Sequence, residues 1–228
     1  MATSGSSDYS LTARQVIEFA LRKTNLLALG QSADSDMVDA ALTELNVMCK
    51  EWMRYPALWR TSEASLTPTA NTATISMSSA NPYRVLDCRF RNSVSRDTQM
   101  EEMTRQEYYA LPIKTTTGTP TTWYFEPQRA TNTLYIWPVL AVIDSETIQA
   151  TYQRRFEDVD DLANEVDIAQ EHLSTVGYNL AARLADNFGR SGGHIDRIIQ
   201  RAGMLFESML DADRPEIIRF VPERRYHG

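Results

Sequence analysis

The chain has 228 residues, a formal net charge of -7, 43% hydrophobic and 9% aromatic residues. That length supports a substantial core, in one large or two small domains, and the acidic balance argues against a generally nucleic-acid-binding surface while leaving room for a local basic patch. No apolar run approaches the roughly 20 residues of a membrane helix, and the opening MATSGSSDYS lacks the basic and apolar regions of a signal peptide, so neither secretion by that route nor a membrane span is expected.

Residues 1–10 are small and polar and read as a flexible lead-in. Thr12 with Gln15 gives the capping-box pattern that starts a helix; Val16, Phe19, Ala20 and Lys23 follow one face, and Gly30 is the expected C-cap. A second helix opens near Ser35 or Asp36. Its stripe of Val38, Ala41, Leu42, Leu45, Met48, Cys49 and Trp52 has the helical period, and Pro56 is expected to end it. Cys49 and Cys88 both sit in apolar patterns with no CxxC, which points to buried, reduced thiols in a protein made in the cytoplasm.

From Thr61 the period moves towards two. Glu63–Thr67, Thr72–Met77, Tyr83–Arg91 and Ile148–Phe156 read as strands. In the third, Val85, Asp87, Arg89 and Arg91 are expected on one face and Leu86, Cys88 and Phe90 on the other, the half-buried alternation of antiparallel sheets. Thr104 with Glu107 marks a short helix ended by Pro112. Gly118–Pro138 reads as a hairpin, with strands over Trp123–Phe125 and Thr133–Trp137 and a polar loop from Pro127. Trp123 and Trp137 suit a core, as large aromatics do.

Helical periodicity returns after Asp161 in Ile168, Leu173, Val176, Leu180, Leu184 and Phe188, with Gly189 as cap. It returns again in Ile195, Ile198, Ile199, Ala202, Leu205, Phe206 and Met209. The remainder, DRPEIIRFVPERRYHG, is too short for its own core and reads as an extended arm with apolar anchors. The expected class is α+β: a discontinuous antiparallel helical bundle, residues 11–60 and 162–211, interrupted by an antiparallel β-rich insert, 61–161, with a C-terminal arm, 212–228.

Candidate chemistry mostly fails on context. Gly189-Arg190-Ser191-Gly192-Gly193 matches G-x-S-x-G and His194 adjoins it, but a nucleophile elbow needs a strand before the serine, whereas here a helix precedes it. A turn between helices explains the glycines, and the hydrolase remains the weakest alternative. The same glycines precede a helix N-terminus without the Lys-Ser/Thr of a P-loop. Glu157, Asp158, Asp160 and Asp161 fail as a calcium loop, because Leu162, Ala163 and Ala169 fall at ligand or glycine positions; the cluster is expected to precede and cap a helix. His172, His194 and His227 have no zinc-ligand spacing. Arg154 and Arg155 point to opposite faces of a strand, open to a partner, a phosphate or a surface ion pair. Arg84, Arg89 and Arg91 are the best candidates for a basic face, which keeps a nucleic-acid-binding module of a virion as an alternative. No catalytic residue, cofactor or metal is expected.

The helix pair, the strand insert with TPTTWYFEPQ and LYIWPVL, the strand ATYQRRFEDVDD and the helix YNLAARLADNFG, in that order, resemble the head-to-tail adaptor proteins of tailed bacteriophages. The nearest type is the tail accessory or tail tubular adaptor of short-tailed phages. The resemblance implies a non-enzymatic virion protein at the head–tail junction, assembled in the host cytoplasm. It implies a ring, usually dodecameric, below the portal protein, which extends the DNA channel for genome ejection and offers a platform to a downstream tail or nozzle protein. Double-stranded DNA would pass without specific binding, as suits an acidic wall. By the same resemblance Ile217, Ile218, Arg219, Phe220, Val221, Arg224 and Arg225 dock on the portal, and Trp123, Tyr124 and Trp137 contact neighbouring subunits or tail parts.

Overall fold

The computed structural model describes residues 5, 9–55, 61–129 and 131–212. The chain divides into two compact units, Met1–Leu58 with Asp158–Gly228, and Trp59–Glu157.

The first unit is helical: α1 (Ala13–Lys23), α2 (Ser35–Trp52), a 3-10 turn at Gln170–His172, α4 (Leu173–Asn187) and α5 (Gly193–Ala212). The Thr12 side chain accepts from the Gln15 amide at 3.3 Å, and the Gln15 side chain accepts from the Thr12 amide at 3.0 Å, so two of the donors that open α1 are satisfied reciprocally. Two more find carbonyls in the returning chain, Ala13 N–H donating to Asn164 and Arg14 N–H to Leu162. The helix stops well before Gly30. Thr24 turns its hydroxyl onto the Ala20 and Leu21 carbonyls, Asn25 takes a φ of 57°, and Leu29 is left 91% exposed. Local side-chain bonding thus competes with helix propagation and wins.

The α2 stripe is buried as its spacing predicts, apart from the half-buried Leu42. The helix ends at Trp52, and Pro56 lies outside the described residues. Helix α4 starts at Leu173, later than the pattern suggests: Ile168 precedes it. The acidic cluster does not cap it. Asp161 instead accepts from the Ala163 amide in a turn, and Asp158 pairs with Lys50. Leu173, Val176, Leu180, Ala181, Leu184 and Ala185 are all buried, and α4 packs against α1, α2 and α5. Gly177 has to be glycine for packing: a Cβ there meets the Phe19 ring at 2.5 Å.

The second unit holds two four-stranded sheets. One has the order β1 (Thr61–Leu66), β8 (Thr147–Arg154), β3 (Pro82–Arg91), β4 (Asp97–Gln99); the other has β2 (Thr74–Ser76), β7 (Thr133–Trp137), β6 (Thr122–Glu126), β5 (Glu101–Glu102). The short helix α3 (Arg105–Ala110) lies between β5 and β6 in sequence and carries the Thr104–Glu107 capping box. Every pairing between these strands is antiparallel except β5 with β6, which is parallel and so corrects the all-antiparallel expectation. The chain passes from one sheet to the other at buried Met100, whose amide donates to the Cys88 carbonyl. The next amide, Glu101, donates to Thr121. α3 and its flanking loops then supply the crossover that a parallel pair needs.

Strand β3 also departs from its expected alternation. Val85 opposes Tyr152 and Asp87 opposes Thr151, so Leu86 is an extra residue in the ladder, a β-bulge. The bulge shifts the face: Val85, Cys88 and Phe90 point inward together and Leu86 is 41% exposed. The hairpin expected over 118–138 forms, β6 and β7 pairing Thr122 with Trp137 through Glu126 with Thr133. Its Trp123, Leu134 and Ile136 join Ile75, Cys88 and Ile148 in a core that draws on both sheets. Both thiols are buried, and burial pushes Cys49 up to about 12 and Cys88 higher still. Among the described residues no helix is long and apolar enough to cross a membrane.

Leu180 on α4 is fully buried. Leu180→Ala is expected to cost about 2–5 kcal/mol in denaturant unfolding, whereas Leu29→Ala, at a position 91% exposed, changes stability by about 0.5 kcal/mol or less.

Candidate interaction surfaces

In the helical unit, polar side chains on α4 fasten its neighbours. Arg183 donates to Glu44 at 2.9 Å and to Glu51 at 2.5 Å, both on α2, and Asn187 donates to Glu44 at 3.3 Å. The hydrogen bond from Arg183, aided by its charge, holds the Glu51 carboxyl below the usual carboxylate range. Asn179 donates to the Ala202 carbonyl on α5 at 3.2 Å. Beside these contacts runs a groove of about 720 Å³ between α1 and the start of α4, floored by Leu11, Val16, Phe19 and Leu173. The Lys23 ammonium sits 5.1 Å from the centre of the Phe19 ring and 5.3 Å from that of Tyr178, a cation–π clamp at the groove's end.

The β unit presents a tyrosine face. Alternation along β6 and β7 sends Trp123, Leu134 and Ile136 inward and leaves Tyr124 and Tyr135 on the opposite side, stacked with centroids 5.6 Å apart. α3 lays Tyr108 over both, 5.9 Å from Tyr124 and 4.8 Å from Tyr135. The Tyr135 hydroxyl donates to Glu126 at 3.1 Å, and burial together with that carboxylate pushes it up to about 12. The Trp137 indole N–H donates to the Ile113 carbonyl at 3.2 Å. Tyr109 at 50% and Ile113 at 61% exposure form the open rim of this aromatic cluster. On the other sheet, Arg91 makes a two-point contact with Asp97 at 2.6 and 2.8 Å, and Arg89 reaches Glu63 at 2.8 Å. The arginines expected to form a basic face are therefore largely neutralised in place; Arg84 is exposed on the same strand.

No family model matches the chain. No curated protein matches it. Among solved structures, a chain of "Neck of empty GTA particle computed with C6 symmetry" aligns at 13% identity and a TM-score of 0.31, covering 83% of this chain and 93% of its own. A chain of "Neck of native GTA particle computed with C12 symmetry" aligns at 12% identity and a TM-score of 0.28, with the same coverage.

Of the residues singled out in the hairpin, Trp123 is 2% exposed and belongs to the core, with no hydrogen-bond partner for its indole N–H among the described residues. Tyr124 and Trp137 are half-buried; Tyr124 belongs to the tyrosine face and Trp137 borders it. Ile217, Ile218, Arg219, Phe220, Val221, Arg224 and Arg225 lie outside the described residues. Tyr108 and Tyr109, which complete the face, were not singled out from the sequence; the signal was the Thr104–Glu107 capping box, which fixes the helix that carries them. Arg154 and Arg155 are both half-buried, and Arg154 donates to the Arg155 carbonyl at 3.4 Å. Ser191 is exposed in the link from α4 to α5, where Gly189 (φ 62°) and Gly192 (φ 113°) take left-handed conformations, and a helix precedes it. His194 does not face that serine as a base: its Nε2 lies 2.8 Å from the Lys23 carbonyl at the end of α1. His172 ends the 3-10 turn, and His227 lies outside the described residues. No cluster of three or more His, Cys, Asp or Glu among the described residues is placed to hold a metal ion.

Ser191→Ala is expected to leave hydrolysis of ester substrates and the unfolding midpoint unchanged, the stability effect staying within about 0.5 kcal/mol. Glu51 yields a pH test. Its folded carboxyl titrates below its unfolded value, so its stabilisation is present above about pH 4.3 and is lost as pH falls through the folded value. Denaturant titrations should show the wild type's advantage over Glu51→Gln shrinking between about pH 5 and pH 3. With the side chain 45% exposed, that advantage is about 0.5 kcal/mol or less at neutral pH.

Proposed function

We propose that this chain is a structural protein of the head–tail junction of a tailed phage or phage-like particle. It forms an adaptor ring, dodecameric by resemblance, between the portal and the tail, extends the DNA channel and gives the next tail or nozzle protein its platform. The observation that carries this reading is the order of the elements that bear the resemblance. The helices α1 and α2 precede, and α4 and α5 follow, a β unit centred on the TPTTWYFEPQ–LYIWPVL hairpin, and YNLAARLADNFG forms the helix on which the others pack. The placement of Ser191 in a helix–helix link and of His194 on a backbone carbonyl supports a non-enzymatic role.

In this reading the acidic chain, with its net charge of -7, repels phosphate, so DNA slides through the channel instead of adhering. The C-terminal residues 212–228 dock on the portal. Ile217, Ile218, Phe220 and Val221 supply about 1.5–3 kcal/mol each when buried against it, set against the cost of ordering the segment. Arg219, Arg224 and Arg225 add charge-assisted hydrogen bonds to acidic groups of the portal. The tyrosine face, with Tyr124 in its stack and Trp137 at its border, meets a neighbouring subunit or tail part, while Trp123 supports that face from the core.

The mass of the purified protein, alone and mixed with a portal ring, tests the reading: a stoichiometric ring on the portal supports it, and no association refutes it. Deleting the residues after Asp213 is expected to leave the thermal midpoint within a few degrees of wild type, because α1, α2, α4 and α5 already bury their apolar residues against one another, and to abolish docking. Unchanged affinity of the truncated chain for the portal would move the docking role to the folded body.

A further inference from the structure

Helices α2 and α5 each bury one side of their surface and leave the other open. The open side of α2 begins with Asp36 and Asp39 and continues through Thr43 to Val47, which is 44% exposed. That of α5 begins with Arg197 and Arg201 and continues to Met204, which is 63% exposed. The spacing matches: Asp36 and Thr43 stand two helical turns apart, as Arg197 and Met204 do. Among the described residues, Asp36, Asp39 and Arg201 take part in no ion pair, and Arg197 donates only to the Gly193 carbonyl of its own helix. Asp34 adds to the acidic side, and Asp196 offsets part of the basic one.

The two helices also run in the same sense. Asn187, late in α4, bonds Glu44, while the earlier Arg183 reaches on to Glu51, so α4 is antiparallel to α2. Asn179 bonds the Ala202 carbonyl, across the turn that reverses α4 into α5, so α4 is antiparallel to α5 as well. A rotation about an axis along these helices brings α5 of one copy beside α2 of the next without reversing either. A contact between two different faces closes into a ring when its repeated rotation completes a full turn without translation.

We propose that the open face of α5 in one copy of this chain packs in parallel on the open face of α2 in the next. Arg197 and Arg201 meet Asp36 and Asp39, and Met204 enters the space that the small side chain of Thr43 leaves ahead of Val47. The partner is a second copy of this chain. The proposal deepens the ring reading and rests on it. The charges fix register and exclude the antiparallel arrangement, which sets Arg197 and Arg201 beyond reach of Asp36 and Asp39.

The test uses the full-length chain. Replacing Arg197 and Arg201 by Glu, or Asp36 and Asp39 by Lys, is expected to weaken self-association about tenfold or more. Sedimentation across a concentration series reads this, or ring formation on a portal where the free chain is monomeric. Combining both reversals in one chain restores association, because each contact again joins opposite charges. Thr43→Cys with Met204→Cys is expected to yield interchain disulfides at multiples of the monomer mass, with buried Cys49 and Cys88 staying out of the reaction. Three results would each overturn the α2–α5 contact while leaving the ring reading intact: association that the reversals do not weaken, no recovery in the combined variant, or associated protein without interchain disulfides. A wild-type chain that forms no ring even with the portal present overturns the ring reading and the contact together.

Discussion

Helix α4 touches three other helices, and that crowding dictates what each of them is made of. A helix packed on several sides has to let its neighbours approach to roughly 8–10 Å between axes. Gly177, Ala181 and Ala185 supply the room, and Phe19 fills the space above Gly177. Burial on this scale leaves few positions for polar side chains, and those on α4 are used: Asn179 reaches α5, and Arg183 and Asn187 reach α2. The helical unit is therefore held by apolar packing around α4 and oriented by directional bonds from it. Those same bonds set α2 and α5 in one sense, which gives their open faces a defined relation.

In the β unit the corresponding constraint is a core drawn from two sheets. Met100 is the residue at which the chain leaves one sheet for the other, and its burial ties the two short strands on either side of it to a common interior. Trp123 fills that interior from the hairpin. The aromatics on the reverse face of β6 and β7 are free to form a surface of their own, sealed partly by α3 and left open at Tyr109 and Ile113. Period-two alternation therefore makes one hairpin serve two purposes, the core on one side and a stacked aromatic surface on the other.

Features governed by neighbouring residues were legible in the sequence. Thr12 with Gln15 and Thr104 with Glu107 both form reciprocal caps, the α2 stripe follows from its spacing, and the two strands of the β6–β7 hairpin stand out as aromatic runs. Features that depend on distant partners were not. Leu86 reads as one more step of an alternating strand, and only the mismatch with β8 makes it a bulge. The strands β4 and β5 are three and two residues long and wholly polar, so they carry no hydrophobic pattern and exist because β3 and β6 offer them open edges. Asp161 was expected to precede and cap a helix, but the course of 162–165 along the start of α1 sets it in a turn instead. In the tyrosine face, Tyr124 was singled out from the sequence, and Tyr135 joins it through the cross-strand pairing. Tyr108 enters only because α3 folds back on them.

The pairing of β1 with β8 has a kinetic meaning. These are the first and last strands of the β unit, and Thr61 lies opposite Gln153. An unfolded insertion of roughly a hundred residues between α2 and the segment leading to α4 would make bringing the two helix pairs together a long loop closure. Once the β unit folds, its two ends are neighbours, and the effective loop shrinks to the order of ten residues. That removes about 2 kcal/mol of closure entropy. The insert thereby acts as a clasp: wherever it is formed first, a distant encounter between the chain's two helical halves becomes a local one.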